Sequence, residues 1–158
     1  MNSSAWDVGG GVRFDPMGGR VYKTILVTLE TTVTDRAIIE HVKQLAAEMQ
    51  SRVVLLHVAT GVPAQVHGAD AAGNEIDQDQ AYLAEVQAEF EAAGVEAGTE
   101  FAYGDPVTEI CRWVENQGCD LVAMSTHGHG LIADVFLGTV AIRVQHNISV
   151  PVLLLRAR

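Results

Sequence analysis

Val53-Val54-Leu55-Leu56-His57-Val58 decides the fold, because five of its six residues are apolar and no polar alternation interrupts them. A run this short is a strand, and a strand apolar on both faces belongs to a sheet covered on both sides, as parallel sheets are. Upstream, Ile25-Leu26-Val27-Thr28-Leu29 reads as a similar strand, after which residues 31–34 turn the chain. Ile38, Val42, Leu45 and Met49 then recur at three- and four-residue steps, which predicts a helix with one apolar face.

Downstream, residues 61–76 carry Gly, Pro and Ala without periodicity and are expected to form a long loop, either a functional flap or a mobile connection. Tyr82, Leu83, Val86 and Phe90 mark a second helix stopped by Gly94, and a third strand is expected over residues 95–103. Asp105-Pro106 has the form of an N-cap followed by proline at the first helical position; Val107, Ile110 and Val114 give that helix its buried stripe and Gly118 its end. Asp120-Leu121-Val122-Ala123-Met124 is the fourth strand. Val150-Pro151-Val152-Leu153-Leu154-Leu155 is the fifth, with Pro151 at its start or on an edge.

Strand and helix thus alternate four times before a closing strand, which implies a parallel, doubly wound α/β sheet with helices on both faces. Ligands of such sheets bind beyond the carboxyl ends of the strands, at the switch point. Two stretches fall at such ends. One is Glu30, and the other is Ser125-Thr126-His127-Gly128, followed nine residues later by Gly138-Thr139 and a short helix expected to begin at Val140. Backbone amides unshielded by a Cβ, leading into a helix N-terminus, hold phosphate oxygens well. A plain surface loop carries the same residue types, so the spacing alone leaves both readings open.

The 158-residue chain fits one domain, with residues 1–21 as a flexible extension bearing Gly9-Gly10-Gly11 and Gly18-Gly19, and residues 22–158 as the folded part. A formal charge of -10 with 10 basic residues argues against a nucleic-acid backbone or an anionic membrane as partner. Cys111 and Cys119 are too few for a disulfide framework, and Met1-Asn2-Ser3-Ser4 lacks a basic lead and an apolar signal core, so a cytoplasmic location is expected.

From Tyr22 to Arg156 the chain resembles the single-domain universal stress proteins. Their nucleotide-binding members show Gly, two residues, Gly, nine residues, Gly, then Ser or Thr; Gly128, Gly138 and Thr139 keep that spacing, and Ser125 replaces the first glycine. Tyr22-Lys23-Thr24-Ile25-Leu26-Val27, Leu55-Leu56-His57-Val58, Gly104-Asp105-Pro106 and Cys119-Asp120-Leu121-Val122 are similar pieces. The resemblance implies a Rossmann-like five-stranded sheet ordered 3-2-1-4-5, a homodimer through the last strand at residues 152–155, and ATP or AMP, with Mg2+ in attendance, bound between the first and fourth strand ends. It places the ribose on Glu30, where relatives carry Asp. Adenine falls at Val58 and near Thr28, Met124 lines the base or ribose, and Ser125, Gly128, Gly138, Thr139 and the Val140 amide lie along the phosphates. A nucleotide-dependent switch or adaptor, rather than a fast enzyme, is the implied role. The alternative is a stress protein that binds no nucleotide and works through its dimer and protein partners.

Other constellations are weaker. His127 and His129 sit two apart, but neither paired cysteines nor a helical His pair completes a metal set. Ser125, His127 and Asp134 are too close in sequence for a nucleophile, base and orienter. No phosphate-loop lysine motif is present. Arg143 lies beyond the first helical turn and reads as a solvated side chain, or as a cation balancing phosphate.

Overall fold

Strands β1 (Thr24–Thr28), β2 (Arg52–Ala59), β3 (Ala97–Tyr103), β4 (Leu121–Thr126) and β5 (Val152–Arg156) pair in parallel throughout, in the order β3-β2-β1-β4-β5. The expected doubly wound topology is therefore observed. The computed structural model describes residues 21–60, 69–126 and 133–157, so the glycine-bearing extension expected over residues 1–21 lies almost wholly outside the described part.

Side chains alternate across a strand with period two, and that parity sorts the core into two layers. Ile25, Val27 and Leu29 face one side with Val53, Leu55, Leu121 and Ala123; there they meet helices α1 (Arg36–Met49) and α2 (Ala69–Ala92) through Ile38, Val42, Leu83, Val86 and Phe90. Leu26, Val54, Leu56, Val122 and Met124 face the other side and pack on α3 (Pro106–Gln117) and α4 (Ala133–Asn147) through Val107, Ile110, Val114, Val140 and Val144. Two covered faces are the reason β2 is apolar without alternation.

The element ends follow local chemistry. Asp105 caps α3 by accepting from the Thr108 amide at 2.9 Å, Pro106 occupies the first turn, and Gly118 closes the helix in the left-handed region at φ 59°. Asp120, between α3 and β4, accepts from the Lys23 amide at 2.8 Å and the Thr24 amide at 3.1 Å, which ties the start of β1 to that of β4.

Three expectations are corrected. Residues 69–76 are helical rather than loop: α2 runs 24 residues. At about 1.5 Å per residue that exceeds the span of strands of seven or eight residues, and residues 69–76 carry no apolar recurrence at three- and four-residue steps that announces a helix. Residues 61–68 lie outside the described part. β4 continues through Ser125 to Thr126 instead of ending at Met124. Helix α4 begins at Ala133, not at Val140, so Gly138, Thr139 and Val140 fall inside it. A single glycine within a helix costs only about 1 kcal/mol, which its neighbours override, and Gly138 is therefore no reliable helix boundary.

Candidate functional site

A cleft opens at the carboxyl ends of β1, β2 and β4, where the strand order reverses direction. It is lined by Thr28, Leu29 and Glu30 from β1 and the turn after it, and by Leu56, Val58 and Thr60 from β2 and its end. Pro106 and Ile110 from α3, Met124 from β4 and Val140 from α4 complete the wall. Its cavity is about 60 Å³, within about 440 Å³ of empty space counted out to the open mouth. Aliphatic walls, two threonine hydroxyls and one carboxylate suit a flat apolar ring joined to a hydroxylated group.

Strand parity explains which expected site residues meet here. Thr28, Glu30, Val58 and Met124 all line the cleft, and Val58 and Met124 pack in the layer of α3 and α4, as alternation along β2 and β4 requires. Val140 reaches it with its side chain; its amide, inside α4, is at a position where a helix satisfies its own donors. Thr139 is exposed and is not among the described residues that line the cleft. Gly128, His127 and His129 lie outside the described residues.

Ser125 points the other way. It is buried on the α1 side, and its Oγ donates to the Thr34 carbonyl at 3.3 Å. It belongs to an extended strand, and the positive-φ residues other than glycine are Thr31 and Gln50, so serine replaces a glycine here without backbone strain. Its side chain is a strut under the β1–α1 turn rather than a wall of the cleft.

The same turn carries the features that the sequence reading missed. The Asp35 carboxylate is fully buried and accepts from the Glu30 amide at 3.0 and 3.1 Å, the Thr32 amide at 3.3 Å and the Tyr82 hydroxyl at 3.3 Å. Burial raises its pKa above the ordinary aspartate value, while these hydrogen bonds pull it back down. Burial and the neighbouring Asp35 charge likewise push the Tyr82 hydroxyl up. His57 Nδ1 donates to the Leu29 carbonyl at 2.8 Å, and its Nε2 lies 3.4 Å from an Asp79 carboxylate oxygen on α2. A Thr-x-x-Asp spacing at Thr32 and Asp35, which matches the helix-start box, is the local signal that could have drawn attention to Asp35, though not to its burial.

At the mouth, Asp105 is held below the usual carboxylate range by the Thr108 amide and hydroxyl, and Arg143 Nη1 lies 3.8 Å from its Oδ1. Arg143 thus faces a carboxylate across the α3–α4 gap. Burial pushes the Cys119 thiol up to about 11 and raises Cys111, which disfavours the reactive thiolate at both. Among the described residues no group of three or more His, Cys, Asp or Glu converges as a metal set, and no helix is long and apolar enough to cross a membrane.

Against known proteins, residues 21–156 match the sequence model of the universal stress protein family. The universal stress protein MJ0531 of Methanocaldococcus jannaschii is 29% identical over 146 residues, covering 88% of this chain and 85% of its own. YxiE of Bacillus subtilis is 26% identical over 148 residues, covering 86% and 100%. Among solved structures, MJ0577 superposes with a TM-score of 0.72 at 24% identity, covering 87% of this chain and 97% of that one. A universal stress protein solved in complex with cAMP gives 0.64 at 20% identity over 85% and 97%, and one from Archaeoglobus fulgidus in complex with dAMP gives 0.61 at 14% over 84% and 97%.

Proposed function

The chain belongs to the universal stress protein family, and from that premise we propose that it binds an adenine nucleotide, ATP or AMP, in the cleft at the ends of β1, β2 and β4. The observation that carries this reading is the pairing of an aliphatic slot (Leu56, Val58, Ile110, Met124) with the Glu30 carboxylate at the switch point. The slot takes the base, and the carboxylate accepts hydrogen bonds from the two ribose hydroxyls. That two relatives of the same fold were solved with cAMP and with dAMP supports the choice of adenine. Among the described residues the lining offers no cation, and its one carboxylate is given to the ribose, so the bound nucleotide acts as a signal: a cytoplasmic switch or adaptor rather than a fast enzyme. The chain pairs as a homodimer through the β5 edge.

The phosphates are the open half of the site. With α4 beginning at Ala133, the amides at Gly138, Thr139 and Val140 are engaged in the helix, and seating phosphate on them requires its first turns to unwind. This geometry is what favours the second reading, a stress protein that binds no nucleotide and acts through dimer and partner contacts.

Mass spectrometry of nucleotide released from freshly purified protein, followed by calorimetric titration of ATP with magnesium, separates the two. Co-purifying ATP or AMP, or micromolar affinity lost in Gly138→Val with the dimer intact, supports the switch. No release, together with no binding up to millimolar ATP, sinks it in favour of the interaction module.

A further inference from the structure

The backbone that presents Glu30 is fixed from four directions. Before it, the Leu29 amide donates to the Leu56 carbonyl at 2.9 Å, and the Leu29 carbonyl accepts from His57 Nδ1 at 2.8 Å. Its own amide sits on both oxygens of Asp35, at 3.0 and 3.1 Å. After it, Thr31 adopts φ 59°, a left-handed conformation that strains a β-branched residue. Ser125 then holds the Thr34 carbonyl from β4 at 3.3 Å, and Tyr82 reaches Asp35 from α2 at 3.3 Å.

Asp35 also closes the helix-start box by accepting from the Thr32 amide, but that box needs neither the contact with the Glu30 amide nor a left-handed Thr31, and burying a carboxylate and straining a threonine both work against folding. What the two achieve together is a single backbone geometry at the residue whose side chain lines the cleft. We infer that Asp35 is a positioning residue: by holding the Glu30 amide it aims the Glu30 carboxylate at a vicinal diol, and so makes this cleft discriminate ribose from deoxyribose. The inference rests on the nucleotide reading above and adds to it a sugar specificity and the residue that sets it. Asp35 itself touches no ligand. Two hydrogen bonds from a diol to one carboxylate demand placement within about half an ångström, and a turn free to rock at Glu30 loses the second bond before it loses the base.

The test is calorimetric titration of AMP and 2′-deoxy-AMP into the full chain, its Asp35→Asn variant and its Glu30→Gln variant. Wild-type protein is expected to prefer AMP about tenfold, the scale of one hydrogen bond to a charged group. Asp35→Asn, nearly isosteric but deprived of one carboxylate oxygen, is expected to abolish that preference while leaving 2′-deoxy-AMP within about twofold of wild type, whereas Glu30→Gln, which weakens the acceptor for the 3′-hydroxyl that both sugars keep, is expected to lower both ligands and remove the preference. A merely structural Asp35 would lower both ligands equally. Equal loss, or a retained tenfold preference, overturns the inference. In ligand-free protein, the Glu30 amide is expected to exchange slowly in wild type and quickly in the variant, and an unprotected wild-type amide also overturns it.

Should Asp35→Asn fail to fold, Tyr82→Phe removes one donor from Asp35 and leaves the turn sequence alone. It is expected to narrow the preference, and an unchanged preference there counts against the role. Wild type that binds neither nucleotide fails the site itself and takes the ribose role with it. Wild type that binds both equally fails only the sugar specificity.

Discussion

Asp35 illustrates how one side chain relates to both stability and function. Its pKa is raised from 3.8 because burial outweighs the hydrogen bonds from the Glu30 and Thr32 amides and the Tyr82 hydroxyl. A raised carboxyl pKa means that the folded chain takes up this proton more readily than the unfolded chain. The associated stability is present at the acid end and is lost as pH rises from 3.8 through the folded value. Asn at the same position does not titrate. Urea unfolding of wild type and Asp35→Asn across this range is therefore expected to show the wild type's relative stability declining as pH rises, with a plateau above the folded pKa. A flat difference would mean that Asp35 titrates as an ordinary surface carboxylate. The other ionisable groups around it, Tyr82 and Glu89 on α2 and Arg36 on α1, keep their charge states through this acid window or are common to both proteins. Burial of this carboxyl works against its charged form, as expected of a group kept for what it positions.

Among the elements, α3 joins local chemistry to the site most directly, because its first residue, Pro106, and its inner residue Ile110 are both cleft walls. Asp105 sets where that helix starts, through the Thr108 amide at 2.9 Å and hydroxyl at 2.8 Å. Asp105→Ala is expected to cost about 1 kcal/mol in urea unfolding, the usual value of an N-cap, and to free Arg143. A cost indistinguishable from zero would mean that Pro106 alone holds the start. This helix was legible in full, since cap, proline, apolar stripe and closing glycine each have a local cause. The sheet order was legible because apolar runs and strand–helix alternation leave few topologies. The start of α4 was not, since Gly138 read as a break and a helix overrides one glycine. The first turns of α2 were missed because they include Gly73 and carry no apolar periodicity. For the cleft, the even residues Thr28, Glu30, Val58 and Met124 were found by resemblance, and parity in β4 already separates Met124 from Ser125. Asp35 was not found: its role depends on Tyr82, 47 residues away, and on burial that no local pattern reports.

Considered whole, the molecule has two sheet edges, and they are not alike. β3, Ala-Gly-Thr-Glu-Phe-Ala-Tyr, places a glycine and a glutamate on its edge, features that discourage strand addition. β5, Val-Leu-Leu-Leu-Arg, pairs only with β4 and keeps its single charge at its end; Val152, Leu153 and Leu155 are half-buried and Leu154 is 44% exposed. An apolar edge with unpaired backbone groups invites a second strand, and a second copy of β5 supplies one with the same pattern and satisfies both edges at once. The chain's net charge of -10 opposes the approach of two copies, so this contact must be dominated by apolar burial and backbone pairing. Higher salt is then expected to strengthen the dimer by screening that repulsion. Leu154→Lys places a charge on this edge without touching either core layer. Analytical ultracentrifugation is expected to find wild type dimeric and Leu154→Lys monomeric with an unchanged far-ultraviolet spectrum. A wild type that sediments as a monomer at high micromolar chain, or a lysine variant that still dimerises, would move the interface away from β5. Nucleotide titrations on the monomeric variant then ask whether the cleft, one strand away across β4, depends on pairing at all. Because the lining residues of the cleft, from Thr28 to Val140, come from a single chain, affinity in the monomer is expected to stay within about twofold of the dimer.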